Sequence, residues 1–174
     1  SLGHQFKTAS DTEVLLIGYK EWGSNLLQRI NGMFAFCIYD SVKQTLFCAR
    51  DRIGVKPFYY SWVDGEFEIC SQLRPLMPNK KINQKAVSIY LDCGYIPSPF
   101  TILKDVHKLP PGHSMEIDIP AKRKSITKYW DLKKVEPRKI TYTKAKEELH
   151  ALLIDAVKIR LQSDVPIGSF LSGG

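Results

Sequence analysis

Spacing of apolar positions divides the chain into a helical start, a β-rich middle and a helical end. Ser10-Asp11-Thr12-Glu13 has the form of a capping box, Ser10 as N-cap and Glu13 reaching back to it. It predicts a helix to about Lys20, with Val14, Leu15, Gly18 and Tyr19 on the buried side and a stop at Trp22-Gly23. A second short helix is expected near Ser24 to Ile30, ending at Asn31-Gly32. From Met33 the period becomes two. Met33 to Asp40 and Thr45 to Arg50 read as antiparallel strands joined by Ser41 to Gln44. Pro57 to Val63 and Glu66 to Ser71 form a second hairpin about Asp64-Gly65, a pair suited to the two positive φ angles of a type I′ turn.

Helical spacing returns at Asn83 to Cys93, placing Ala86, Val87, Tyr90 and Leu91 on one face. The prolines of Tyr95-Ile-Pro-Ser-Pro impose an extended loop. A turn at Leu109-Pro-Pro-Gly-His113 leads into short strands at Ser114 to Ile119 and near Ser125 to Trp130. Lys133 to Thr141 is polar, basic and contains Pro137, as a linker does. Beyond it Tyr142 to Leu161 repeats Ala145, Leu149, Leu152, Leu153, Ala156, Val157 and Leu161 at helical spacing. An entry loop and buried strand, Val165 to Leu171, then run into Ser172-Gly173-Gly174. The expected class is α+β, with a domain at 1–132 and a linker plus the start of a second domain at 133–174.

Composition narrows the function classes. The 174 residues are 44% hydrophobic and 25% charged, ordinary for a globular protein, and no stretch approaches the length of a membrane span. Cys37, Cys48, Cys70 and Cys93 form no CxxC pair and have no histidine cluster beside them, which argues against zinc or a disulfide framework. Reduced, packed cysteines fit a cytoplasmic protein. The net charge of +7 is concentrated: ten of 25 basic residues lie between Lys122 and Lys146, against Asp131 and Glu136. With Tyr129 and Trp130 interleaved, this run is the basis for an alternative nucleic-acid-binding module. A solvated turn and linker explains it more simply, and neither nucleic acid nor membrane is an expected partner.

A strand running into Ser-Gly-Gly brings backbone amides and a hydroxyl close to where a phosphate would sit. Read with Ser163-Asp-Val-Pro-Ile-Gly-Ser-Phe-Leu before it, the segment resembles the start of the synthetase domain of glutamine-dependent asparagine synthetases. Asp11-Thr-Glu-Val14, Asn31-Gly-Met-Phe-Ala-Phe36 and Arg50-Asp-Arg-Ile-Gly-Val-Lys-Pro-Phe-Tyr-Tyr60 are similar to the second half of a class II glutamine amidotransferase domain. Tyr95-Ile-Pro97, Lys108-Leu-Pro-Pro-Gly-His113 and Tyr129-Trp-Asp-Leu132 resemble that family's run into the synthetase domain.

The resemblance implies the C-terminal part of an N-terminal-nucleophile αββα sandwich, then the first helix and strand of an ATP-pyrophosphatase domain. It implies an enzyme that hydrolyses glutamine, activates aspartate with ATP and Mg2+ as β-aspartyl-AMP, and aminates it to asparagine. Glutamine, aspartate and ATP are the implied small-molecule partners, and the parent is expected to be a homodimer. β-Lactam synthetase-like relatives of the same architecture, acting on other carboxylates, are an alternative. Asp11 matches the position that holds the α-ammonium of glutamine. Leu171, Ser172, Gly173 and Gly174 match the nucleotide-binding segment. Arg50, Asp51, Arg52 and Lys56 are read as a structural ion-pair network, and His113 as a turn residue.

The family's nucleophile is an N-terminal Cys whose own amine is the base. No residue here matches it, nor the upstream Arg-Gly-Pro and Asn-Gly-Glu segments, so no catalytic residue and no metal ligand is assigned. The chain begins Ser-Leu-Gly-His without an initiator Met and is expected to be an internal piece, inactive by itself.

Overall fold

Ser10 caps a helix as its sequence predicts: its side chain accepts from the Thr12 N–H, and α1 runs Asp11–Trp22. The computed structural model describes residues 3–170 and divides into two units, Ser1–Leu132 and Lys133–Gly174. After α1 the first unit continues through a 3-10 helix, Gly23–Gln28, into β1 (Ala35–Asp40) and β2 (Thr45–Arg50). β3 (Tyr59–Val63), β4 (Glu66–Cys70), a 3-10 turn Arg74–Leu76 and α2 (Gln84–Cys93) follow. β5 (Val106–Lys108), β6 (His113–Asp118) and β7 (Arg123–Lys128) complete it.

All strand pairs are antiparallel. One sheet has the order β1-β2-β6-β7 and the other β4-β3-β5. Because side chains alternate across a strand, β2 supplies two cores. Phe47 and Ala49 face Tyr19 of α1 and Leu27 of the 3-10 helix, with Phe34 and Phe36 on the same side. Tyr19 stacks on Phe47 at 4.9 Å between ring centres. Cys48 faces the other way and joins Met115 and Ile117 of β6 against Phe58, Tyr60 and Leu109, so the sheets pack on each other. The far side of the second sheet, at Tyr59, Cys70 and Val106, is covered by Leu76 and Leu103.

Several expectations are corrected. β1 begins at Ala35, not Met33, whose side chain is exposed. β3 begins at Tyr59, past Pro57, which has no N–H for a ladder. β7 ends at Lys128 because the Tyr129 and Trp130 N–H groups both donate to Gly112 O. β5 was not anticipated, since three residues show no period. Val14 on α1 and Tyr90 and Leu91 on α2 are exposed rather than buried. The Asp64-Gly65 turn has both φ angles positive, 52° and 79°, as expected.

The second unit contains α3, Tyr142–Lys158, capped by Thr141, whose side chain accepts from Lys144 N–H. α3 ends three residues short of the predicted Leu161, and its apolar residues Leu149, Leu152, Leu153 and Val157 are exposed. The strand expected from Val165 is not formed among the described residues: a strand needs a ladder partner, and none pairs with 165–170.

Candidate functional site

Asp11 is the first residue of α1, where a carboxylate complements the positive end of the helix dipole. The loop before it is held by Glu13, one carboxylate accepting from Lys7 N–H (2.8 Å), Thr8 N–H (2.7 Å) and Thr8 Oγ1–H (2.5 Å). Thr8 Oγ1 in turn accepts from Ser10 N–H at 3.2 Å. The capping-box reading was therefore half right. Glu13 does not return to Ser10 but reaches further back, and Thr8 satisfies the Ser10 amide. Asp11 itself is exposed and has no hydrogen-bonding or ion-pair partner among the described residues. The clamp by Glu13 leaves that carboxylate available and fixes the chain entering it.

The Thr8 hydroxyl, with the Lys7 and Thr8 amides, holds the Glu13 carboxyl below its ordinary range. A depressed folded-state value means the clamp contributes above the unfolded pKa and is lost as pH falls through the folded one. Protection of the Lys7 and Thr8 amides, their exchange rate relative to the intrinsic rate at the same pH, is accordingly expected to fall at acidic pH, and at neutral pH in Glu13→Gln. Exchange unchanged in that variant would dismiss the clamp.

Arg50, Asp51, Arg52 and Lys56 form something other than the predicted ion-pair network. Asp51 is 1% exposed, and its carboxylate accepts from Val55 N–H and Lys56 N–H, both at 2.9 Å. The Arg50 guanidinium donates to Lys56 O (2.7 Å), Gly54 O (2.9 Å) and Leu109 O (2.8 Å). Each charge is thus satisfied by main chain, the arrangement a buried charge needs when no opposite charge is in contact. Arg52 and Lys56 contribute no side-chain hydrogen bond or ion pair among the described residues. Tyr129 OH donates to Arg50 O at 2.7 Å, and burial pushes that phenol up to about 12. Gly112 N–H donates to Asp51 O at 2.9 Å, and Gly112 sits at φ 66° with Trp130 O 2.8 Å from where a Cβ would be. His113, expected in the turn, is instead the first residue of β6, paired with Lys128, and its Nδ1 lies 2.7 Å from Pro111 O. The loop braces β2 against the turn preceding β6.

Part of the basic run is engaged. Arg123 pairs with Asp118, Lys128 with Asp131 and Arg138 with Glu148. Lys124 Nζ lies 5.1 Å from the centre of the Tyr60 ring, a cation–π contact between sheets. Tyr129, the aromatic interleaved in that run, is half-buried beneath the brace.

Two recesses flank these elements. One of about 320 Å³ lies along α1, lined by His4, Phe6, Val14, Ile17 and Trp22. The other, about 240 Å³, lies between β1 and β4 and is lined by Cys37, Phe58, Ile69 and Cys70. The sequence reading missed the Glu13 clamp and the opposition of Cys37 to Cys48. The hairpin register contained the latter, since Asp40 opposite Thr45 places Cys37 opposite Cys48. Leu171, Ser172, Gly173 and Gly174 lie outside the described residues. Among the described residues no group of three or more His, Cys, Asp or Glu is placed to share a metal ion, and no helix is long and apolar enough to cross a membrane.

Residues 1–130 match the glutamine amidotransferase domain family, and residues 148–174 match asparagine synthase. A Methanocaldococcus jannaschii protein provisionally named asparagine synthetase [glutamine-hydrolyzing] 2 is 44% identical over 97% of this chain and 34% of its own length. Asparagine synthetase [glutamine-hydrolyzing] 3 of Bacillus subtilis is 34% identical, over 99% of this chain and 28% of its own. Amidase chyE of Penicillium rubens is also 34% identical, over 98% of this chain and 26% of its own. The chain thus spans about a quarter to a third of the length of these curated relatives.

Proposed function

Because this chain belongs to the glutamine amidotransferase domain family, we propose that it forms part of a glutamine-hydrolysing asparagine synthetase. The observation that carries the reading is Asp11, an unpartnered carboxylate at the capped end of α1, held on a clamped loop. The α-ammonium of glutamine requires a charged hydrogen-bond acceptor once it leaves water, and Asp11 offers one already oriented. We assign the first unit to the C-terminal part of an N-terminal-nucleophile αββα sandwich, a reading supported by the face-to-face sheets with α1 outside them. The second unit is assigned to a linker and the opening helix of an ATP-pyrophosphatase domain.

In this reading Leu171, Ser172, Gly173 and Gly174 contact ATP, which activates aspartate as β-aspartyl-AMP. Mg2+ is assigned to the parent enzyme together with ATP. The nucleophile and the rest of both sites come from beyond these residues, in a cytoplasmic homodimer. A second reading keeps the amidotransferase and changes the acceptor to another carboxylate, as in β-lactam synthetase-like enzymes. That reading is kept because one relative, from Penicillium, carries a name other than asparagine synthetase.

Product analysis separates the two. The full-length gene product, given glutamine, ATP and aspartate, is expected to yield asparagine, AMP and pyrophosphate. AMP formation driven only by another carboxylic acid would select the second reading. ADP and phosphate as products would dismiss both.

A further inference from the structure

The chain places two thiols opposite each other where one is reachable and the other is not. Cys37 of β1 and Cys48 of β2 are register partners, so their side chains leave the same face of the sheet. Directly opposed residues of an antiparallel pair have Cα atoms about 4.5–5.5 Å apart, inside the range of about 4.4–6.8 Å that a disulfide spans. Cys48 is fully buried in the core between the sheets, with Met115 and Phe58. Cys37 packs against that core but also lines the recess of about 240 Å³ between β1 and β4, large enough for a water-sized oxidant. The neighbouring Cys48 thiol holds Cys37 below the ordinary thiol range, while Cys37 and burial push Cys48 upward. The electronic asymmetry follows the steric one, since the partly accessible partner is the more ready thiolate.

The other two cysteines lack this arrangement. Cys70 borders the recess, but its partner across the ladder is Tyr59. Cys93, the last residue of α2, is exposed and opposes no cysteine.

We propose that Cys37 is a hydroperoxide-reactive site and that Cys48 resolves its oxidised form into a disulfide within the β1–β2 hairpin. In the first step the Cys37 thiolate attacks the peroxide. An S–O bond forms, the O–O bond breaks, and the departing hydroxide leaves as water after taking a proton. In the second step the Cys48 sulfur attacks the sulfenic sulfur of Cys37. The S–S bond forms as the S–O bond breaks, and the Cys48 proton departs with the hydroxide as water. Two thiols lose two electrons and one peroxide becomes two waters. A dithiol reductant reverses the bond by exchange, at the Cys37 sulfur that faces the recess.

The test is thiol mapping of the native full-length protein after limited hydrogen peroxide. Remaining thiols are alkylated in denaturant and the protein is cut with trypsin, which separates the two cysteines at Lys43. The expected result is a pair of peptides joined through Cys37 and Cys48, lighter than their sum by two hydrogens, and released by dithiothreitol. In Cys48→Ser, Cys37 is expected to be trapped by dimedone as the sulfenic acid; in Cys37→Ser, Cys48 is expected to remain alkylatable. Recovery of Cys37 and Cys48 both alkylated once Cys93 is oxidised would overturn the proposal. A Cys37–Cys70 linkage would overturn it as well. The wild-type map decides alone if either variant fails to fold.

Discussion

Replacing Asp11 by Asn in the full-length enzyme is expected to raise the KM for glutamine roughly 10- to 100-fold, the loss of one charge-assisted contact of about 1.5–3 kcal/mol. The substitution keeps the size of the side chain and its place at the start of α1, and removes the charge that would face the α-ammonium. Asp11 makes no hydrogen bond or ion pair among the described residues, so the folded structure loses little besides a favourable helix-dipole contribution. Synthesis driven by added ammonia bypasses glutamine and is expected to persist. This split separates a binding role from a structural one, because a damaged fold would depress both activities. Equal KM values for wild type and variant would remove Asp11 from the glutamine site.

Replacing Asp51 by Ala has the largest expected effect on stability. Two main-chain donors, Val55 N–H and Lys56 N–H, would lose a buried charged acceptor. The expected destabilisation is about 3 kcal/mol or more, taking about 1.5 kcal/mol or more for each charge-assisted bond. For a domain of this size that lowers the melting temperature by roughly 6–12 °C. Arg50 would also suffer, since its donors end on Gly54 and Lys56 carbonyls of the same loop. Asp51→Asn retains an acceptor oxygen for one of the two amides and is expected to fall between wild type and Ala. Thermal unfolding followed by circular dichroism measures the series. Coincident melts would show that the loop is held by something other than this carboxylate.

Local chemistry made much of this fold legible. Ser10, Asn83 and Thr141 each cap a helix through a side-chain oxygen, and short-range signals of that kind do not depend on what packs later. Asp64-Gly65 and the Ser41 to Gln44 connection likewise determine their hairpins through backbone conformation. What stayed hidden depends on long-range pairing. β5 exists only because β3 offers it a ladder, Val106 to Ser61 and His107 to Tyr60. Tyr90 and Leu91 carry helical spacing yet remain exposed, because periodicity reports an apolar face and not whether anything covers it.

The candidate site divides in the same way. Asp11 was found through motif resemblance, and its place on α1 through capping. The three-fold clamp by Glu13 was misread because a carboxylate three residues after a cap has more than one amide within reach. The Arg50–Lys56 charges looked like partners for one another, whereas two of them are consumed by main-chain groups. That outcome could not be read from charge order, since it depends on where Leu109 O and the turn at Gly112 come to rest.

The most direct test of the account follows the nitrogen. The full-length protein is incubated with ATP, aspartate and glutamine carrying heavy nitrogen only at its side-chain amide. The account predicts that the label appears in the side-chain amide of asparagine, with AMP formed alongside. Asparagine without the label, or labelled ammonia released with no asparagine formed, would contradict it.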